Sequence, residues 1–282
     1  MRFIRNFEII IQTPNGIELR ITPPITARIQ ITRNALASAN TCSVQIVNLK
    51  KSTRAQIYKD RFAISDYWQM VVRAGYGKQL YEIFRGNIYE AWSSKQGTEW
   101  TTQIEGMDGM FAIQNAVTSR SYNSGANIKN MITDIITDMP KTIAGIISPS
   151  KDQTIGRGAV YMGSSAEILD DLTDNQSFID NEAVNVLGTN EVIGANDVLL
   201  LSASLRKSTP RRRENLLETN VLFTPQVAVG GFAEIRGGED IYAGQYKILG
   251  FSHNITISQA EPGNADTTIT LDAGSAALEA IG

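Results

Sequence analysis

The sequence predicts a mainly β protein with a smaller α/β part: two β-barrel or sandwich domains with an α/β insertion between them. Three observations predict it. Both ends of the 282-residue chain alternate apolar and polar side chains with period two, the mark of strands with one buried face. Clusters of Gly, Pro and Asn punctuate those runs at turn spacing. In the middle the period changes to that of amphipathic helices. The expected boundaries are 1–118 for a first β-barrel domain with one short helix, 119–182 for the α/β middle region and 183–282 for a second β-barrel domain.

Residues 7–11 and 17–21 form the first expected hairpin. Pro14-Asn15-Gly16 joins them, because Asn and Gly accept positive φ. From 25 to 32, Ile25, Ala27, Ile29 and Ile31 fall on one face and Thr26, Arg28, Gln30 and Thr32 on the other. Cys42, Val44 and Ile46 repeat the alternation, and residues 71–76, 81–89 and 100–104 continue it. A short helix is expected near 53–61, where Thr53 and Gln56 have capping-box spacing and Ile57 gives the apolar face.

Further on, Ile128, Met131, Ile132, Ile135, Ile136 and Met139 follow the i, i+3, i+4, i+7 spacing of one helix face, and Pro140 ends that helix. A second helix starts at Ser164, with Glu167 as capping-box partner and Ile168, Leu169 and Leu172 as its buried stripe. Strands return at 198–201, 221–223, 232–235, 246–257 and 267–271. Gly230-Gly231, Gly237-Gly238 and Pro262-Gly263-Asn264 separate them.

Composition excludes several function classes. With 42% hydrophobic and 20% charged residues the chain is globular rather than disordered. A net charge of -3 argues against a dedicated nucleic-acid binder, which needs a basic surface. The single cysteine, Cys42, excludes an intrachain disulfide and fits a reducing compartment. Met1-Arg2-Phe3-Ile4-Arg5-Asn6 lacks the apolar core of a secretory signal, and no 18-residue apolar stretch occurs. Synthesis in a cytoplasm without membrane insertion is therefore expected, and the glycosylation-type triplets at Asn175 and Asn254 become chance matches. One histidine, His253, and one cysteine cannot supply the roughly four thiolate or imidazole ligands of a structural zinc site. No metal or cofactor is expected.

Four constellations bear on chemistry. His253 lies in phase with Phe251, Ile255 and Ile257. It reads as a hydrogen-bonded core or interface histidine in preference to a general base or switch, and no Gly-x-Ser-x-Gly elbow accompanies it. Asp134 with Asp138, and Asp170, Asp171 and Asp174, offer paired carboxylates of the type glycoside hydrolysis uses. They fall on polar helix faces, where water keeps both partners ionised. Gly75-Tyr76-Gly77 lacks the third glycine of a dinucleotide loop. Finally, Arg206, Lys207, Arg211, Arg212 and Arg213 put five cations into eight residues. They form either a solvated hairpin tip or an exposed loop that docks on an acidic partner or on phosphates, and they are the candidate partner contacts.

The order of residues also resembles a known family. Ala39-Asn40-Thr41-Cys42-Ser43-Val44-Gln45-Ile46-Val47-Asn48-Leu49, then Thr53-Arg54 opening a helix, resembles the N-terminal barrel of bacteriophage baseplate hub proteins. So do Val72-Arg73-Ala74-Gly75-Tyr76-Gly77 and Ile83-Phe84-Arg85-Gly86-Asn87-Ile88. Arg157-Gly158-Ala159-Val160-Tyr161-Met162-Gly163, followed by the helix with Leu169 and Leu172, is similar to the family's middle region. Gly244-Gln245-Tyr246-Lys247-Ile248, His253 and the 267–271 strand resemble its closing hairpin.

The resemblance implies a relative of contractile-tail hubs, of late-control-D proteins and of the N-terminal part of type VI secretion spikes. In that family two tail-tube-like barrels per chain assemble as a homotrimer, a ring that matches a six-fold tube to a three-fold spike. The implied role is structural rather than enzymatic, in the virion tail, with DNA only in transit through the lumen. The implied partners are the spike, the tail tube or its initiator, other baseplate proteins and, as a further candidate, the tape measure. The competing readings are a tail-tube initiator, a receptor-binding collar and, behind both, a tail-associated cell-wall hydrolase.

Overall fold

Alternation in the sequence becomes alternation in burial: Ala27, Ile29 and Ile31 are buried while Arg28, Gln30 and Thr32 between them are exposed. The structure is a computed structural model that describes residues 4–35, 39–63, 66–194, 198–237, 240–259, 263–274 and 278–281. Met1 to Phe3 and the turn residues Gly238 and Pro262 lie outside the described residues.

β1 (Arg5–Gln12) and β2 (Glu18–Ile21) form the expected hairpin, with Ile9 opposite Ile21 and Gln12 opposite Glu18. Gly16 takes φ +77° in its connection, a conformation that costs glycine nothing. β3 (Ala27–Asn34), β4 (Thr41–Val47), α1 (Lys51–Ile57), β5 (Gln69–Tyr76), the 18-residue β6 (Gln79–Gln96) and β7 (Glu99–Met107) follow. The middle region holds α2 (Met110–Asn115), β8 (Val117–Tyr122), α3 (Ile128–Thr137), β9 (Ile143–Ile147), β10 (Ala159–Ser164), α4 (Ser165–Thr173), β11 (Ser177–Asp180) and β12 (Ala183–Val186). The chain then returns to strands: β13 (Glu191–Ile193), β14 (Leu199–Ser202), β15 (Arg211–Arg213), β16 (Leu216–Leu222), β17 (Phe232–Arg236), β18 (Gly244–Ile257), β19 (Ala265–Asp272) and β20 (Glu279–Ile281).

Thirteen strands make one sheet, in the order β15-β16-β19-β18-β3-β4-β7-β6-β5-β1-β2, with β17 and β14 branching from β18. The long strand β18 is the hinge of this topology. Its C-terminal half pairs with β3, from Gly250 opposite Asn34 to Ile257 opposite Ala27, and its first residues pair with β17. Both β-rich ends of the chain therefore share one sheet. Their cores interleave accordingly. The first core gathers β1 to β7 residues such as Phe7, Ile29, Val44, Met70, Phe84 and Ile104, and takes in Phe223, Ile255, Ile257 and Ala265 from the last hundred residues. A second core forms around Leu201, Val221, Ile235, Ile248, Phe251 and Ile269.

The middle region has a core of its own. The stripe predicted for α3 is buried at Met131, Ile132, Ile135 and Ile136, and its three isoleucines pack with Ala112, Ile168, Leu169, Val184 and Val186. Asn127 caps α3 by accepting the Asn130 N–H at 3.3 Å. Ser164 caps α4 as expected, accepting the Glu167 N–H, and Leu172 ends half-buried.

The first helix needs correcting. α1 starts at Lys51, so Thr53 lies inside it, and no side chain caps it. The chain leaves β4 through Asn48 in a left-handed turn (φ +59°), whose side chain accepts the Trp100 N–H at 3.0 Å, and it enters the helix at once. The helix cannot reach residue 61, because Lys59 already exchanges backbone hydrogen bonds with Ala91.

Candidate assembly surfaces

The five candidate cations separate into two groups. Arg206 donates to the Gly237 carbonyl and Lys207 pairs with Asp266, so both are engaged by their own chain. Arg211, Arg212 and Arg213 are β15: antiparallel to β16, opposite Glu218, Leu217 and Leu216, and exposed. The expected projecting loop is therefore a broken edge strand. Backbone bonds from Leu222 to Leu205 (2.9 Å) and from Lys207 to Asn220 (2.8 Å) zip its first part onto the free side of β16. After a break at 208–210, β15 continues along the same side.

From β6 to β15 the sheet is a run of eight hydrogen-bonded strands. β15 ends it on one side. On the other, β6 outruns β5, whose pairing stops at Asn87. Beyond the Lys59–Ala91 bridge, the outer edge of β6 has no strand partner among the described residues. One face of this run covers the cores. The other is open, and its side chains stand in transverse rows. Glu105, Ser43, Gln30, Asn254 and Asp266 are in register across five strands. The next row is Thr41, Thr32, Ser252, Thr268 and Asn220. All ten are exposed or half-buried. At usual strand spacing the run presents a strip about 35 Å across.

His253 is fully buried, as the sequence reading preferred. Thr267 accepts the Thr224 N–H and meets His253 Nδ1 at 2.9 Å, and the Phe223 and Phe251 rings flank the imidazole. Burial, with Arg33 adding to it, lowers its pKa from 6.5 to about 3, so it is neutral at physiological pH. The helix carboxylates do not converge either. Asp138 binds Arg120 and Thr118, and Asp170 accepts from Ser177. Asp138 is thus held in an ion pair rather than simply solvated. Among the described residues no cluster of three or more His, Cys, Asp and Glu is placed to hold a metal ion.

One polar cluster escaped sequence reasoning. The β11–β12 turn, with Asn181 and Glu182 at positive φ (52° and 64°), plugs the middle region onto the large sheet. Asp108, at the end of β7, accepts both backbone N–H groups, from Asn181 at 2.6 Å and Glu182 at 2.9 Å. Asn181 accepts the Arg85 N–H at 3.0 Å, Tyr67 and Gln69 donate to Glu182, and buried Arg33 donates its Nε to Asp180 at 2.6 Å. Burial pushes Asp108 up to about 6 and Glu182 up to about 7. A signal was available: Arg33 lies in phase with Ala27, Ile29 and Ile31, and a charge on a buried face requires a partner.

This architecture is that of phage tail proteins. The 43 kDa tail protein of prophage MuSo2 from Shewanella oneidensis has a TM-score of 0.60 at 12% identity, over 94% of this chain and 96% of that one. A tail protein from Neisseria meningitidis MC58 gives 0.58 at 11%, with the same coverage of each chain. The E. coli c3393 protein, a type VI secretion component described as similar to T4 tail proteins gp27 and gp5, gives 0.55 at 8%, over 94% of this chain and 77% of that one. No curated protein sequence matches the chain. The sequence itself matches the family described as Baseplate hub gp41 over residues 7–259. The chain belongs to that family, and hence to the phage tail.

Proposed function

We propose that the chain is the structural hub of a contractile tail: a closed three-copy ring that adapts a six-fold tube to a three-fold spike and forms part of the conduit for DNA ejection. The observation that carries ring closure is the eight-strand run with an open edge at each end, β15 and the outer part of β6. Open edges invite pairing unless another chain covers them. A head-to-tail contact that joins one end to the other end of the next copy closes after three copies and leaves nothing to propagate a fibre. Arg211, Arg212 and Arg213 then lie at the seam between copies, as contacts for an acidic neighbour. As charges on an edge strand they also keep the isolated chain from pairing indiscriminately. Arg206 and Lys207 hold that edge in place from within.

The spike below, the tube or its initiator above, other baseplate proteins and the tape measure are the partners this role requires. The role itself needs no reactive side chain, and the purified chain is expected not to degrade peptidoglycan. Co-expression with the spike and tube proteins, followed by light scattering of the complex, tests the reading. Three copies per complex support it; six copies, or one, overturn it.

A further inference from the structure

The two ends of the eight-strand run carry opposite charge. At one end β15 is three consecutive arginines, all exposed. Arg211 stands opposite Glu218 and Arg213 opposite Leu216, while Arg212 Nε donates to the Glu214 carbonyl at 3.1 Å. At the other end Glu90 of β6 stands directly opposite Glu105 of β7, and Trp92 opposite Gln103 is the next pair on that face. Like charges set opposite each other work against the strand pairing. Glu105 accepts from Ser43 at 3.0 Å and Gln103 at 2.7 Å, both uncharged. Among the described residues no cation pairs with Glu90 or Glu105, and no carboxylate pairs with the three arginines. Trp92 is 38% exposed, just past the Lys59–Ala91 bridge where the outer edge of β6 loses its last partner. Carboxylates beside an indole suit a guanidinium, which hydrogen-bonds in its plane and stacks on its face.

We infer that Arg211 and Arg213 of one copy dock on Glu90, Glu105 and Trp92 of the next, and that this match sets the order of copies in the ring. The inference rests on the ring reading above and adds the residues that hold its seam. Topology agrees with it. Every neighbouring pair in the run is antiparallel. β15 and β6 therefore run in opposite directions, and a copy added head to tail continues the pattern. The row that starts at Glu90 and Glu105 reaches β16 at Leu222, while the arginines stand opposite earlier residues of β16. Strands of a closed barrel tilt, and an offset between the rows of adjoining copies comes with that tilt. Wrong contacts are disfavoured by the same charges. β15 against β15 sets arginine on arginine, and β6 against β6 sets glutamate on glutamate. The contact is thus heterologous, the kind that builds rings rather than two-fold pairs.

The test uses the chain co-expressed with its spike and tube proteins, with copy number and dissociation on dilution read by light scattering. Glu90→Lys reverses one side of the seam, and Arg211→Glu with Arg213→Glu reverses the other. As an isolated chain, the Glu90→Lys variant should melt at or above the parental temperature, because it removes a like-charge pair. In the complex, either reversal alone should weaken association between copies by about tenfold or more. All three substitutions together should recover it, and parental association should weaken as salt is raised. Where the reversed β15 fails to fold, Arg211→Gln with Arg213→Gln removes the charge without adding another and should weaken association in the same direction. Parental association in the Glu90→Lys chain and in the arginine variants overturns the inference and leaves the hub reading standing. Loss in each reversal without recovery in the combination gives the arginines a different partner, and overturns the inference too. Six copies, or one, for the unaltered chain overturn the hub reading, and this inference with it.

Discussion

The carboxylate of Asp108 accepts the backbone N–H of Glu182 at 2.9 Å, so two acidic residues from different parts of the chain meet in one buried joint. Asp108 directly follows β7 of the large sheet, and Glu182 tops the hairpin of the middle region. The joint fixes one body on the other, and its protonation is part of its stability.

Both carboxyls titrate above their ordinary values, Asp108 at about 6 against 3.8 and Glu182 at about 7 against 4.5, mainly through burial. The unfolded chain releases these protons at lower pH. The folded state therefore binds more protons between about pH 4 and 7, and their contribution to stability is lost as pH rises through that window. His253 acts oppositely: its folded value of about 3 lies below 6.5, so its contribution is present above pH 6.5 and lost as pH falls toward 3. Tyr67 and Gln69 donate to different oxygens of Glu182, so Glu182→Gln keeps the acceptor of one of them and removes one ionisation. Its melting temperature should fall less between pH 5 and pH 8 than the parent's. An equal or steeper fall contradicts the assignment.

The carboxylate of Asp180 pairs with the buried guanidinium of Arg33. Asp180→Ala should cost about 3 kcal/mol or more, because it strands a buried guanidinium. Adding Arg33→Met should recover much of that loss. Chemical denaturation of the two variants checks it; a double variant no more stable than the single one would show that the pair is not the source of the cost.

His253 is the only histidine, so its imidazole resonances identify themselves. They should not shift between pH 5 and 8, since the ring is neutral throughout. A titration near 6.5 would place the ring in contact with water.

Ile132 is fully buried in the middle core. Ile132→Asp should lower stability by several kcal/mol, on the order of 3 to 5, by burying an unpaired carboxylate. A variant as soluble and heat-stable as the parent would put the stripe on the surface.

What the sequence revealed and concealed follows from how each element is stabilised. β3, β4 and β19 bury one face along their whole length, so alternation shows them plainly. β8 and β10 were not read as a pair because they present Val117, Val160 and Met162 to solvent, which cancels the alternation. β15 consists of three arginines and is a strand only because β16 offers it an edge. The length of β6 was hidden by a bulge near Tyr89, where its register against β7 shifts. The joint at Asp108 left one trace, Arg33 on a buried strand face; the groups that Asp108 binds are backbone amides of a polar turn, and those leave no residue signature.

The central claim is a three-copy ring on the tail axis, and imaging intact tails by electron cryomicroscopy tests it most directly. The account predicts three copies of this chain around the axis, between tube and spike, with β15 of each copy beside β6 of the next. Six copies per baseplate, or a single copy off the axis, would contradict it.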